Sequence, residues 1–289
     1  MSWKYGIENL LSTKLNKRIE IINDSYVGGG SINDTRKIKT TAGDFFVKIN
    51  SASKFPSMFE KEAKGLDVLG KTAEIDVPET IGFGEEDNIA FLVLKLIKSA
   101  PMVNNFWEIF GKRLAALHRN THQYFGFDHD NYIGSLPQSN RQHNTWEDFF
   151  REERLEPQIA MAFNNGSVDR STVTMFDRFF SKLDGLFPDE PPALIHGDLW
   201  GGNFMVNEKG EPVIIDPAVY YGHREMDLGM SQLFGGFDNR FYEAYHKNYP
   251  LEPGWQERID YCNLYPLMVH VNLFGGGYAG SVKSILRRF

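Results

Sequence analysis

The chain has 289 residues, a formal net charge of -7 and a hydrophobic fraction of 42%. This length accommodates one large domain or two lobes, and the hydrophobic fraction is sufficient for a packed core. The acidic balance provides no broad basic surface of the kind that binds nucleic acid, so we expect small-molecule or protein partners and no nucleic acid.

The single cysteine, Cys262, excludes an internal disulfide framework and a cysteine-based zinc cluster. No segment approaches the roughly 18 consecutive apolar residues of a membrane span, and the N-terminal sequence MSWKYGIENL lacks the apolar core of a signal peptide. We therefore predict a globular cytoplasmic protein that does not bind membranes. The sequence carries no indication of an oligomeric state.

The first 95 residues predict a small, mostly antiparallel sheet, with strand patterns over residues 19–27, 35–39, 44–49, 80–85 and 89–94. A glycine-rich turn joins the first two strands and consists of Gly28, Gly29, Gly30 and Ser31. Such a turn lets backbone amides approach phosphate oxygens without interference from a Cβ atom. Taken alone, it fits an ordinary hairpin turn equally well.

Two charged residues of this region lie in apolar patterns. Lys48 belongs to the strand DFFVKI, and Glu62 falls on the apolar stripe of the helix that follows. Ser57 and Glu60 have the spacing of a capping box, which predicts that this helix begins near Met58. Because an unpaired buried charge is costly, we predict an ion pair between Lys48 and Glu62, although an edge lysine and a rim glutamate fit the same pattern.

Residues 96–289 show mainly helical patterns, which begin with an amphipathic helix over residues 104–119. We interpret His118, near the end of that helix, as a capping or solvated residue. Residues 126–140 are rich in Gly, Asp, Asn and Ser and predict a long loop. Asp227 is either a charge at a helix N-terminus or a hydrogen-bonding support for a neighbouring loop.

The segment LIHGDLWGGNFMVNEKGEPVIID, residues 194–216, carries the strongest functional signal. Asp198 and Asn203 follow one short apolar run, and Asp216 ends a second one. The turn at residues 207–210 predicts a hairpin that brings Asn203 and Asp216 together. A carboxylate that receives a hydroxyl proton, with an amide and a second carboxylate that hold magnesium, is the arrangement used in phosphoryl transfer.

The sequence resembles the fructosamine kinase (ketosamine-3-kinase) family, a branch of the aminoglycoside phosphotransferase and choline kinase group. The resemblance covers nearly the whole chain and rests on GGGSIN (28–33), FVK (46–48), MFEKEAKGL (58–66), GFDHDNYIGSLPQ (126–138), HGDLWGGN (196–203), IDPAVYYGHRE (215–225) and DLGMSQLFGGF (227–237). It implies an α+β, protein-kinase-like fold with two lobes. Residues 1–95 would form a small antiparallel-sheet lobe that binds nucleotide, and residues 96–289 a larger, mainly helical lobe for catalysis and substrate binding.

The resemblance also assigns roles to matching positions. Asp198 would be the catalytic base, and Asn203 and Asp216 would bind Mg²⁺. The residues that bind ATP would be Gly28, Gly29, Gly30, Ser31, Lys48, Glu62, Val93, Leu94 and Lys95. Trp200 is a candidate platform for a sugar ring, although packing under its own loop is an equal explanation.

Three positions depart from the family pattern. Ser31 stands where many relatives have cysteine, which argues against redox control by the glycine-rich turn. Lys95 stands where an acidic connector residue is common, and Gly201 where serine is common. Backbone contacts to adenine would survive the change at Lys95, and neither Lys95 nor Gly201 touches the predicted catalytic residues.

These features predict an enzyme that uses ATP and Mg²⁺ to phosphorylate a sugar hydroxyl of ketosamines, free or protein-bound, and thereby initiates deglycation. Two other functions fit the sequence. One is a kinase for aminoglycosides, choline or another amino alcohol, and the other is a catalytically silent kinase-like binding module. The presence of Lys48, Asp198, Asn203 and Asp216 disfavours the silent module.

Overall fold

The computed structural model describes residues 3–28 and 32–289. The described chain is an α+β protein that divides into two compact units. One comprises the chain up to Phe106 together with Gly202–Pro217, and the other comprises Trp107–Gly201 and Ala218–Phe289. A single boundary at residue 95 does not describe these units, because residues 202–217 belong to the first one. Among the described residues, every helix is either too short or too polar to span a membrane.

The helices and strands are numbered in chain order. They are α1 (Trp3–Leu15), β1 (Ile21–Tyr26), β2 (Asp34–Thr40), β3 (Gly43–Ser51), α2 (Met58–Lys71), β4 (Thr80–Glu86), β5 (Ile89–Lys95), α3 (Phe106–Leu117), β6 (Asn131–Ile133), β7 (Leu136–Gln138), α4 (Trp146–Phe149), a π-helical segment (Phe150–Leu155), α5 (Glu156–Asn164), α6 (Arg170–Phe180), β8 (Ala193–Ile195), β9 (Phe204–Val206), β10 (Pro212–Ile214), β11 (Tyr220–Gly222), α7 (Glu225–Leu233), α8 (Asn239–Asn248), α9 (Trp255–Cys262), α10 (Leu264–Phe274), a 3₁₀ turn (Gly276–Tyr278) and α11 (Ala279–Leu286).

The first unit is built on a five-stranded antiparallel sheet with the order β1-β2-β3-β5-β4. Ile7 and Leu11 of α1 join Val47 of β3 and Val93 of β5 in its apolar core. Because strand side chains alternate between faces, the same strand that buries Val47 turns Lys48 towards the opposite face. The predicted strands are confirmed, whereas α1 was not predicted from the sequence.

The helix predicted near Met58 begins at that residue, but the predicted capping box is wrong. Ser57 has φ 56° and its side chain makes no capping hydrogen bond. A capping side chain needs an extended backbone to reach the amides of the first turn, and the left-handed backbone of Ser57 does not provide it. Glu60 instead forms an ion pair with Lys64, at 2.9 Å.

The second unit is mainly helical and has a core rich in aromatic side chains. Its largest fully buried aromatic residues include Phe110, Phe149, Phe176, Tyr220 and Tyr245. The prediction of a long loop at residues 126–140 is wrong in part, since this segment contains the short hairpin β6-β7. Each strand of the hairpin has three residues, which is too short for the alternation that identifies longer strands.

Gly111 in α3 provides a test of packing in the second unit. A Cβ atom at this position would lie 2.1 Å from the carbonyl oxygen of Phe241. We expect Gly111→Ala to lower the free energy of unfolding by about 3 kcal/mol, because a backbone atom cannot yield as a side chain can. Chemical denaturation followed by circular dichroism measures the change.

Gly280→Ala in α11 is the matched control, because a Cβ atom there would meet nothing within 4 Å. We expect it to leave the free energy of unfolding unchanged or to raise it by up to about 1 kcal/mol, since alanine favours helix. Equal effects of the two substitutions would contradict the packing argument.

Candidate active site

Lys48 lies between two carboxylates of the first unit. Its Nζ is 2.7 Å from Oε1 of Glu62 and 2.5 Å from Oδ1 of Asp216. The side chain of Lys48 is 3% exposed, whereas that of Asp216 is 44% exposed. The predicted contact between Lys48 and Glu62 is confirmed, and the contact with Asp216 was not anticipated.

Burial has the largest single effect on the pKa values of Lys48 and Glu62. It opposes the charge of Lys48, but Glu62 and Asp216 together outweigh it and raise the pKa of Lys48 above its ordinary value. Burial also raises the pKa of Glu62, with a further contribution from Asp216 and opposition from Lys48. One ammonium group therefore balances two carboxylates, and a further cation beside Asp216 would reduce their mutual repulsion.

Asn203 and Asp216 flank the open end of the β9-β10 hairpin, as the sequence predicts. The backbone amide of Ile215 donates a hydrogen bond to the carbonyl of Asn203 at 3.0 Å. Asp216 has φ 56°, in the left-handed region where aspartate and asparagine are the usual residues besides glycine. The carboxylate of Asp216 thus leaves the strand in a direction that an extended residue would not take.

Two backbone hydrogen bonds hold this hairpin within the first unit. The amide of Ile214 donates to the carbonyl of Asp76 at 3.0 Å, and the amide of Val103 donates to the carbonyl of Gly210 at 3.1 Å. Both ends of the hairpin are therefore attached to the unit that contains Lys48.

The glycine-rich turn is described only in part, because Gly29–Ser31 lie outside the described residues. Gly28 is described, and a Cβ atom there would meet nothing within 4 Å. On the other side of the turn, the side-chain amide of Asn50 donates to Oδ1 of Asn33 at 3.1 Å. Asn50 follows Lys48 by two residues in β3, so the end of the turn is joined to the strand that carries the lysine.

The three predicted adenine-contacting residues differ in exposure. Val93 is fully buried in the core beneath α1, Leu94 is buried and Lys95 is exposed. Lys95 forms an ion pair with Glu79 at 3.0 Å. Because the side chain of Val93 is enclosed by the core, any contact that this residue makes with a nucleotide would come from its backbone.

Asp198 lies in the loop that follows β8 in the second unit. Its backbone amide donates to Nδ1 of the fully buried His196 at 3.2 Å. Gly197 has φ 82°, and a Cβ atom there would lie 2.1 Å from the carbonyl oxygen of Ala218. Glycine is therefore required directly before Asp198, both by the backbone conformation and by the close approach.

Asp227 supports this loop from the first turn of α7. Its Oδ2 accepts a hydrogen bond from the amide of His196 at 2.8 Å, and its Oδ1 accepts one from the amide of Gly197 at 2.9 Å. Of the two interpretations of Asp227, the structure confirms the loop support. Burial has the largest effect on the pKa of Asp227 and raises it. His118 and the backbone amide of His196 together outweigh burial, so the pKa of Asp227 lies below its ordinary value.

The interpretation of His118 as a capping or solvated residue is wrong. Its side chain is fully buried, with Nε2 at 3.1 Å from Oδ2 of Asp227 and Nδ1 at 2.8 Å from the hydroxyl of Tyr245. These partners lie 109 and 127 residues away in the chain. This role could not be predicted from the sequence, because the helical pattern of α3 carries no information about such distant partners.

Trp200 and Gly201 meet the loop that follows α7. The ring of Trp200 meets that of Phe234 edge to face, with centroids 6.1 Å apart. A Cβ atom at Gly201 would lie 3.1 Å from the carbonyl oxygen of Gly235. The two loops therefore pack backbone against backbone, and the role of Trp200 as a sugar platform stays a prediction.

A pocket beside Asp198 has a mainly apolar lining. Its lining residues are Ile133, Gly197, Asp198, Met226, Met230, Tyr265, Pro266, Val269 and His270. Asp198 is the only carboxylate in this lining, and the hydroxyl of Tyr265 donates to Oε1 of Gln138 at 2.6 Å. The pocket thus presents one negative charge among apolar and aromatic walls.

The polar groups of the first unit fit a magnesium nucleotide. Carboxylate and amide oxygens, as in Asp216 and Asn203, are ligands that Mg²⁺ accepts. The carboxylate of Asp216 is partly exposed although it contacts Lys48, and the cluster has one more carboxylate than ammonium groups. These two properties suit a site that gains a cation.

Asp227→Asn tests the support of the Asp198 loop. The carboxylate accepts hydrogen bonds from three groups, whereas an amide has one acceptor oxygen, so we expect the free energy of unfolding to fall by about 3 kcal/mol at pH 7. The folded pKa of Asp227 is lowered from 3.8, so its contribution is full above that value and is lost as the pH falls through the folded pKa. The difference between native protein and variant should therefore shrink below about pH 4.

Asp67→Asn serves as the control, since this exposed carboxylate pairs with Lys71 one helical turn away. We expect a change of at most about 0.5 kcal/mol from it. Urea unfolding at several pH values measures both variants, and an Asp227→Asn difference that stays constant down to pH 3 would contradict the linkage.

Comparison with known proteins places this geometry in a family. A sequence profile of the fructosamine kinase family matches residues 3–289. A probable ketoamine kinase of Synechocystis sp. is 40% identical over 263 residues, which cover 91% of this chain and 88% of that protein. A chloroplastic protein-ribulosamine 3-kinase of Arabidopsis thaliana is 38% identical over 276 residues, which cover 93% of this chain and 83% of that protein.

Solved structures agree with the sequence relatives. A proposed fructosamine-3-kinase of Thermobifida fusca has a TM-score of 0.87 and 34% identity, over 99% of this chain and 97% of that one. The choline kinase of Streptococcus pneumoniae has a TM-score of 0.60 at 16% identity, over 98% of this chain and 100% of that one, which shows the fold alone. The predicted protein-kinase-like α+β fold is confirmed. This chain belongs to the fructosamine kinase family.

Proposed function

We propose that this protein is an ATP-dependent kinase that phosphorylates a sugar hydroxyl of ketosamines and thereby initiates their removal from the amine. The observation that carries the proposal is the match, over 91% and 93% of the chain, to proteins named ketoamine kinase and protein-ribulosamine 3-kinase. The residues that this chemistry requires are present in the chain, namely Lys48, Asp198, Asn203 and Asp216. A catalytically silent module would not need all four.

Lys48 is proposed to bind the phosphates of ATP, with Glu62 holding the ammonium group in place. Asn203 and Asp216 would hold magnesium, which when bound neutralises charge on the phosphates. The glycine-rich turn would cover the phosphates, and residues 93–95 would contact adenine through their backbone. The buried Lys48 needs little reorganisation for this task, since Glu62 already contacts it at 2.7 Å.

Asp198 is proposed to orient the attacking sugar hydroxyl and to accept its proton. The loop that carries it is held by hydrogen bonds from the amides of His196 and Gly197 to Asp227. A base held in this way keeps its position as the substrate binds, so positioning contributes to the rate.

The named relatives favour ketosamines over aminoglycosides as the acceptor. The ketoamine kinase and the protein-ribulosamine 3-kinase are 40% and 38% identical to this chain, whereas an aminoglycoside phosphotransferase that shares the fold is 14% identical. The cytoplasmic location, and the choice between free and protein-bound ketosamines, stay predictions from the sequence.

The first functional test offers four acceptors with Mg-ATP, namely fructose-lysine, ribulose-lysine, kanamycin and choline. We expect turnover with the two ketosamines, and we expect Asp198→Asn to lower kcat by about 10³-fold because the base is lost. Coupled measurement of ADP release gives the rates. Asp177→Asn, at an exposed position of α6, is the control and should retain native kcat.

Turnover restricted to kanamycin or choline would reject the ketosamine assignment. Binding of ATP without transfer to any acceptor would reject the enzyme assignment in favour of a silent module.

The second functional test concerns Lys48 and its partner. We expect Lys48→Met to lower kcat/KM for ATP by about 10²-fold or more, since a preorganised positive charge is lost. Glu62→Gln should lower it by a smaller factor of about 10, because the lysine stays but loses one partner. Initial rates at varied ATP and saturating fructose-lysine give these values.

Lys64→Met is the matched control, because Lys64 forms an exposed ion pair with Glu60 on the same helix. We expect its kcat/KM for ATP to stay within about twofold of the native value. An equal loss in the Lys48 and Lys64 variants would show that the burial of Lys48 has no catalytic consequence.

A further inference from the structure

Five aromatic side chains of the second unit form a connected surface, which we call the aromatic strip: Trp200, Phe234, His270, Phe274 and Tyr278. The ring of His270 is central, with centroid distances of 4.7 Å to Phe234, 5.4 Å to Phe274 and 5.0 Å to Tyr278. Trp200 extends the strip through its contact with Phe234. Phe234 is 42% exposed and Phe274 is 58% exposed, and contiguous exposed apolar side chains mark binding surfaces.

The aromatic strip is continuous with the pocket beside Asp198. His270 belongs to both, because it lines that pocket and contacts the exposed Phe274. Trp200 follows Asp198 by two residues in the same loop. A molecule whose reacting end lies at Asp198 therefore has the strip within reach of its other end.

The strip is electrically neutral at neutral pH. Nδ1 of His270 lies 2.7 Å from the carbonyl oxygen of Pro266, and since a carbonyl only accepts, this nitrogen carries the hydrogen. Burial lowers the pKa of His270, and the hydrogen bond to Pro266 opposes this only in part. The ring is therefore uncharged and retains Nε2 as a hydrogen-bond acceptor.

We propose that the aromatic strip binds the apolar body of the amine in a small-molecule ketosamine, so that adducts of aromatic and alkyl amines are the favoured substrates. The proposal rests on the proposed ketosamine kinase function. Ring faces bind apolar groups and attract a cationic amine, and none of the five side chains would balance a second charge. The sugar end, which is polar, lies at Asp198.

The size of the strip favours a small molecule over a protein. Stable protein interfaces bury roughly 1,200 Å² or more in total and involve about 20 residues on each side, whereas the strip has five side chains, of which Phe234 and Phe274 are 42% and 58% exposed. An amine on a protein surface would also bring polar backbone against the rings. We therefore assign the strip to the amine itself.

The test compares the fructose adducts of benzylamine and ethanolamine. We expect the native enzyme to have kcat/KM about tenfold higher for the benzylamine adduct, mainly through KM, as a hydrophobic subsite of this size provides. Phe234→Ala and Phe274→Ala should each reduce that preference by about threefold or more and leave the ethanolamine adduct within about twofold of the native value. Both residues are exposed, so neither substitution leaves a cavity in the core.

Tyr5→Ala is the control, since Tyr5 is 49% exposed on α1 in the first unit. Calorimetric Kd values for the benzylamine adduct, measured on the Asp198→Asn background without ATP, provide a second readout that needs no turnover. They should weaken in both phenylalanine variants and stay unchanged with Tyr5→Ala.

The outcomes separate the two proposals. Phosphorylation of both adducts with equal kcat/KM, unchanged by either variant, overturns the role of the strip and leaves the kinase function standing. Loss of turnover in the variants only with fructosylated polylysine assigns the strip to macromolecular substrates and also overturns the proposal. Failure of the native enzyme to phosphorylate any ketosamine rejects the proposed function itself.

Discussion

The architecture of the first unit depends on a buried ammonium group that needs carboxylates. Lys48 is almost inaccessible to water and contacts Glu62 and Asp216, which lie 14 and 168 residues away in the chain. An isolated charge in this position would be strongly destabilising, so β3, α2 and the end of the β9-β10 hairpin must be brought together. This requirement agrees with the grouping of residues 202–217 with the N-terminal sheet. It also leaves the cluster with surplus negative charge, which is a property of a site that accepts a cation.

In the second unit a buried charged group, the carboxylate of Asp227, likewise holds a separate segment of the chain in place. The segment around Asp198 is irregular, and irregular backbone cannot satisfy its own amides as a helix does. Asp227 provides two acceptor oxygens to those amides, and its own burial is balanced by His118. A carboxylate buried behind a loop thus keeps a second carboxylate, Asp198, in a defined position. Rigid support of this kind is what a base requires, because misplacement by about 1 Å is enough to slow a reaction by 10²-fold.

The proposed substrate contacts are divided between a charged and an apolar region of the second unit. Asp198 is the only carboxylate that lines its pocket, and the aromatic strip continues from that pocket without charge. The close packing of Gly201 against Gly235 brings Trp200 to Phe234 and makes this continuity possible. A side chain at position 201 would separate these backbones slightly, because its Cβ atom would lie 3.1 Å from the carbonyl oxygen of Gly235. Gly201 thus allows the contact between Trp200 and Phe234, which belong to the aromatic strip.

The sequence by itself determined the elements whose signals are local. Alternation and turn residues predicted the sheet and the β9-β10 hairpin, and helical spacing placed Glu62 on the apolar stripe of its helix. The cost of an unpaired buried charge then indicated Lys48 as its partner. The tertiary structure alone decided that Lys48 also contacts Asp216 and that Asp227 supports the Asp198 loop with His118 behind it. A periodic pattern indicates which side of a helix or strand is buried, but it does not indicate which residues that side contacts. Asp216 lies 168 residues from Lys48 and His118 lies 109 residues from Asp227. The loop amides of His196 and Gly197 lie 31 and 30 residues from Asp227, which is also beyond the reach of a local pattern, so only the folded chain could identify these partners.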